Sequence, residues 1–154
     1  MTSVAPAKPS YLGLLNAIAL GESRAGVQLA AWAAATKDEF LRETLTFVAK
    51  RETSHGDVFR RRIQEFGFDV LERPDPKSEE RLKVLADASI PDVKKLGRDE
   101  GEGEGTDFFG KIEEDMANGV FDPLTTDLMR WYIAEERDSG ERLRVCSAMV
   151  RAKA

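Results

Sequence analysis

With 154 residues, 42% of them hydrophobic, the chain is long enough to fold around its own core, which excludes disorder as its main state. Charged residues make up 33% of it and the formal net charge is -5, with Lys and Arg interspersed among Asp and Glu, so no nucleic-acid partner is expected. One cysteine (Cys146) and one histidine (His55) exclude an intrachain disulfide, a Cys-x-x-Cys redox pair and a histidine-rich metal cluster, which leaves carboxylates and one imidazole to carry any chemistry.

Residues 1–9 hold two prolines and no periodicity and read as a disordered tail, followed by one domain over 10–154. There is neither a basic leader nor an apolar run of membrane-spanning length, so a cytoplasmic protein without a membrane partner is expected. Ser10 is placed to cap a first helix over roughly 10–35, along which Leu15, Ile18, Glu22, Ala25, Leu29 and Trp32 recur at steps of 3 and 4. Asp38 opens a second helix. Leu41, Leu45, Val48, Glu52, His55, Phe59, Ile63 and Phe66 form its stripe until Gly67 stops it, and the short connection predicts an antiparallel hairpin.

Residues 68–103 read as a long crossover. Pro74 and Pro76 break the chain, Ser78 opens a short helix, Pro91 allows another, and the Gly101–Gly105 stretch is glycine-rich and acidic. A third long helix carries Phe108, Phe109, Ile112 and Met116. Asp122-Pro123 starts a fourth, with Leu124, Leu128, Trp131, Tyr132, Leu143, Cys146, Met149 and Val150 expected inward. No strand is expected; two hairpins joined by one long crossover predict an all-α, up-down-down-up four-helix bundle. The half from Gly21-Glu22 to Glu52 also echoes that from Gly103-Glu104 to Glu136, as in a degraded duplication.

Three ionisable residues interrupt apolar stripes: Glu22 on the first helix, and Glu52 with His55 on the second. Burying a carboxylate costs several kcal/mol unless it is paired, protonated or bound to a cation. Glu52-Thr-Ser-His55 is a Glu-x-x-His motif, which puts a carboxylate and an imidazole one turn apart on one helix face. Counting outward from a turn near residue 37, Glu22 and Glu52 each lie about 15 residues away, or about 22 Å along their helices, so all three can reach a common ion. The bland alternative is a core histidine hydrogen-bonded to a helical neighbour.

The pattern Ala19-Leu20-Gly21-Glu22, followed by Leu45 and Ala49 leading to Glu52-x-x-His55 and Phe59, resembles the ferritin-like superfamily and its rubrerythrin branch, over residues 11–67 and more faintly over 101–146. The resemblance implies a ferritin-like bundle holding a dinuclear iron or manganese centre, with Glu22, Glu52 and His55 as one half-site and Glu104 in the place equivalent to Glu22. It also implies a second Glu-x-x-His on the fourth helix, where this chain reads Ala134-Glu-Glu-Arg-Asp-Ser-Gly140 instead. The repeat offset favours Glu136 as that helix's ligand and the angular centre of its apolar stripe favours Glu135. The missing imidazole also leaves a vacated second metal site open.

The function so implied is a rubrerythrin-like oxidoreductase acting on dioxygen or peroxide. Without a rubredoxin-type Cys-x-x-Cys domain in the chain, its electrons are expected from a separate donor, and packing of helix faces suggests a homodimer. The alternatives are an iron-handling ferroxidase and a metal-free helical interaction module with a decayed site. Arg51, Arg60, Arg61 and Arg62 read as a salt-bridged surface, Cys146 as a small buried hydrophobe, and Trp32, Trp131 and Tyr132 as packing residues.

Overall fold

The computed structural model describes residues 7–97 and 105–154, with side chains for all of these except 105–107. The described residues are helices and their connections, with no strand among them, so the all-α class expected from the sequence is the one found. The chain divides into two compact units, residues 1–87 and 88–154.

The first unit is built on a pair of long helices, α1 (Leu12–Ala35) and α2 (Glu39–Glu65), with a shorter α3 (Pro76–Ala86). Ser10 does not cap α1. The residue before the helix is Tyr11, which supplies no side-chain cap, and the first turn is closed by backbone bonds such as Leu12 N–H to the Pro9 carbonyl at 3.2 Å. The α1–α2 turn is tightly tied. Asp38 Oδ1 accepts from Leu41 N–H at 3.0 Å and so caps α2. Arg42 reaches back to donate to the Ala33 and Thr36 carbonyls at 3.2 and 2.6 Å, satisfying acceptors that the end of α1 leaves open.

The second helix ends in a Schellman motif at Gly67 (φ 88°), with Phe68 N–H bonded to the Ile63 carbonyl and Gly67 N–H to that of Gln64. Tyr11 meets Phe66 edge-on at 6.0 Å, which brings the start of α1 to the end of α2, as an antiparallel hairpin requires. Of the stripes read from the sequence, Leu15, Ile18 and Trp32 on α1 and Leu41, Leu45, Val48, Phe59 and Ile63 on α2 are buried, while Ala25, Leu29 and Phe66 are half-buried. The crossover then runs back along α1. Asn16 clamps the backbone of Leu71 at both polar atoms, at 3.1 and 2.8 Å, and Arg24 donates to the Arg73 carbonyl. Gln28 donates to Ser78 Oγ at 2.7 Å. Asp75, not Ser78, opens α3: its Oδ1 accepts from Ser78 N–H, and Pro76 fills the first helical position.

The second unit holds the one-turn α4 (Asp92–Lys95), α5 (Gly105–Ala117) and α6 (Pro123–Lys153). Another Schellman motif ends α5, at Gly119 (φ 68°), and Asp122 caps α6 by accepting from Thr125 N–H at 3.2 Å. Phe109 packs edge-on against Tyr132, and Glu113 pairs with Arg137. Arg151 donates to the Gly97 carbonyl at 3.2 Å, tying the segment after α4 to α6.

The inward face of α6 carries Tyr132, Cys146 and Val150 as expected and differs at other positions. Leu124 and Met149 are exposed, and Leu128, Trp131 and Leu143 are half-buried. The stripe that is covered runs Thr125, Met129, Tyr132, Glu136, Ser139, Leu143, Cys146, Val150, at alternating steps of 4 and 3. Hydrophobicity alone misplaced this face, because Thr125 and Ser139 are polar and buried. No helix among the described residues is long and apolar enough to cross a membrane.

Candidate metal centre

Two helices of the first unit build the site. Glu22 faces inward from α1, flanked along the stripe by Ile18, Ala19 and Gly26; Glu52 and His55 face inward from α2, between Val48 and Phe59. Their exposures are 8%, 6% and 0%, so all three belong to the interior. One ligand atom from each lies within 4.8 Å of those of the others, close enough for one ion to touch all three. His55 Nδ1 stands 3.6 Å from Glu22 Oε2, so α1 and α2 are in register at this level, as matched spacing from the turn predicted.

The closeness of these donors has a backbone cause that sequence reading missed. A Cβ added at Gly26 would sit 3.1 Å from Thr53 N and 3.3 Å from the Ala49 carbonyl. One added at Gly56 would sit 3.0 Å from Ser23 N and 3.3 Å from the Ala19 carbonyl. Each helix thus presents a glycine to the other's backbone, one on either side of the Glu22–His55 level, and the two glycines let the helices approach where the donors meet. The available signal was slight: Gly26 is one of three glycines in the alanine-rich α1, with Gly13 and Gly21 in open space, and Gly56 directly follows the histidine. Ser23 adds a smaller detail: its hydroxyl turns back to the Ala19 carbonyl at 2.7 Å, which occupies it locally.

Electrostatics set the chemistry available. Two carboxylates and one imidazole meet, so even a protonated His55 balances only one negative charge. A divalent cation would neutralise the excess, and oxygen and imidazole are donors that such ions accept. Glu22, Glu52 and His55 therefore form a group that could hold a metal ion.

The other expected ligands, Glu104, Glu135 and Glu136, belong to the sequence of the second unit. Glu104 falls outside the described residues. Glu135 and Glu136 are both half-buried on α6, but the regular 4-3 stripe passes through Glu136 and Ser139, with Glu135 one residue to its side. A buried serine thus stands three residues after Glu136, in the place where the resemblance calls for a second histidine. On α5, Glu113 is committed to Arg137, and Glu114 and Asp115 to Lys111.

The arginine-rich stretch of α2 is a surface network, with one exception. Arg60 pairs with Glu72 and Arg61 with Glu65, and Arg51 lies over the Phe47 ring. Arg62 is buried instead: its guanidinium sits 4.3 Å from the centre of the Phe66 ring while bonding Glu65 at 2.8 Å. Comparison with known proteins adds nothing to these residues: no family model, curated protein or solved structure matches the chain.

Proposed function

We propose that the protein is a ferritin-like, carboxylate-rich iron or manganese protein with rubrerythrin-like activity toward peroxide or dioxygen. The observation that carries this reading is the trio Glu22, Glu52 and His55, drawn together inside the hairpin with more negative charge than its one imidazole can balance. Bound there, the metal would supply a redox couple and an open coordination position for an oxygen species.

The chain's own residues do the rest. Glu22 and Glu52 supply anionic oxygens that favour a hard cation and its higher oxidation states. His55, whose Nδ1 stands 3.6 Å from Glu22 Oε2, offers one ring nitrogen as a ligand. The surrounding Leu15, Ile18, Leu45, Val48 and Phe59 are buried and apolar, which keeps bulk water from the donors. The donors gathered within the first unit serve one ion.

Peroxide consumption tests the redox part. Protein loaded anaerobically with Fe(II) and supplied with a small-molecule reductant should consume hydrogen peroxide catalytically, and Glu52→Gln and His55→Gln should abolish this. Stoichiometric metal binding without turnover of peroxide or dioxygen would remove the oxidoreductase assignment and leave a metal-binding protein.

A further inference from the structure

The two helices that build the metal centre carry one pattern twice. Leu15-x-x-Ile18-Ala19-x-x-Glu22-Ser23-x-x-Gly26 on α1 is repeated as Leu45-x-x-Val48-Ala49-x-x-Glu52-Thr53-x-x-Gly56 on α2, at one constant offset. The contacts between the helices obey the same relation. Exchanging each residue for its counterpart turns the approach of Gly26 to Thr53 N and the Ala49 carbonyl into that of Gly56 to Ser23 N and the Ala19 carbonyl. Both approaches are present, at 3.1 and 3.3 Å for a Cβ on Gly26 and at 3.0 and 3.3 Å for one on Gly56. Antiparallel helices that exchange contacts in this way are related by a local two-fold axis, as the two copies of an isologous pair are. Burial follows it too, since Leu15 and Leu45, Ala19 and Ala49, and Glu22 and Glu52 are all interior.

The symmetry breaks at one place that bears on the metal. His55 stands with Nδ1 3.6 Å from Glu22 Oε2. The same exchange applied to that pair sets residue 25 against Glu52, and residue 25 is an alanine, which offers no donor. One carboxylate of the site therefore has an imidazole as its neighbour across the hairpin and the other has a methyl group. Three protein donors leave a divalent ion at least one position to fill from solution, as in catalytic metal sites with three protein ligands. Access differs in the same sense: His55 is 0% exposed, whereas Ala25 is half-buried, so the side of Ala25 is the one open to solvent.

We infer that the exogenous ligand of the metal binds beside Ala25 and Glu52, in the place where the two-fold relation calls for a second imidazole, and that this place accepts a small donor no larger than an imidazole ring. The inference rests on the metal reading above and adds to it where the ligand enters. Titration of Co(II)-loaded full-length protein with imidazole, followed by the visible absorption of the cobalt, tests it. Wild type should take up one imidazole per cobalt with a saturable spectral shift. Ala25→His should show the imidazole-shifted spectrum with nothing added and take up no further imidazole. It should also bind Co(II) at least about tenfold more tightly than wild type, since even groups behind the ligands move metal affinity by that much. Ala25→Leu, which fills the place with an apolar side chain of good helix propensity, should hold Co(II) as wild type does and lose imidazole uptake. Co(II) binding by wild type without imidazole uptake, or wild-type uptake by either variant, would overturn the inference and leave the metal reading standing. Failure of wild type to bind Co(II) would overturn both.

Discussion

Replacing Glu52 by leucine should raise the stability of the metal-free protein and remove its response to metal. In the absence of a cation, wild-type protein must keep the Glu52 carboxylate 6% exposed and close to a second carboxylate, with one imidazole to share between them. Exchanging buried charged groups for apolar ones of similar size often gains about 1–4 kcal/mol. For a chain of this length each kcal/mol moves Tm by roughly 2–4 °C, so Glu52→Leu in a chelating buffer should melt several degrees above wild type. Metal reverses the order. At a free concentration of about 100 times Kd, binding stabilises the wild type by about 2.7 kcal/mol, whereas the variant, lacking a ligand, gains little. Thermal unfolding followed by circular dichroism, with chelator and then with Mn(II) or anaerobic Fe(II), gives all four values. A variant that is less stable than wild type by the same amount in both buffers would refute the reasoning, because Glu52 would then be a structural hydrogen-bonding residue.

Gly56→Ala gains about 1 kcal/mol of helix propensity but places a methyl group against the backbone of Ser23 and Ala19, an overpacking worth about 1–3 kcal/mol; urea unfolding should show a net loss, and Mn(II) affinity should fall as Glu22 is moved from His55. Asn16→Ala removes both bonds to the Leu71 backbone and should cost about 1 kcal/mol, with faster amide exchange at Leu71 and no change across α2. On the surface of α6, the hydrogen bond and charge of Arg144 hold the Glu141 carboxyl below its ordinary range. The pair's small contribution is therefore present above the unfolded carboxylate's pKa of about 4.3 and lost as pH falls through the lower folded value. A carbon-detected NMR titration should find that lowered midpoint, and Arg144→Gln should return it to the ordinary range.

How far the sequence could be read depended on what its periodicity encoded. The α1–α2 hairpin was legible because its stripes are apolar apart from Glu22, Glu52 and His55, and those three were conspicuous for the same reason. On α6 the sequence placed Tyr132, Cys146 and Val150 inward correctly but misjudged the rest of the face because it is partly polar: Thr125, Glu136 and Ser139 carry the stripe through positions where a hydrophobic pattern looks elsewhere, toward Leu124 and Met149. Helix starts were legible at Asp38 and Asp122, but not at Asp75-Pro76, where the prolines read as a break and Ser78 as the opening, nor at Ser10, where backbone bonds suffice. Least visible were contacts set by an absent side chain. Gly26 and Gly56 look like mild helix weaknesses in the sequence, and only the facing backbones show them to be points of close approach.

Metal content decides the central claim most directly. The full chain, expressed with iron or manganese supplementation and freed of loosely bound ions by gel filtration, should carry close to one equivalent or more per chain by elemental analysis. Glu52→Gln and His55→Gln should reduce it to traces while remaining folded. Only trace metal in the wild type, or the same content in those two variants, would contradict the account, for the buried acids would then need no cation among them.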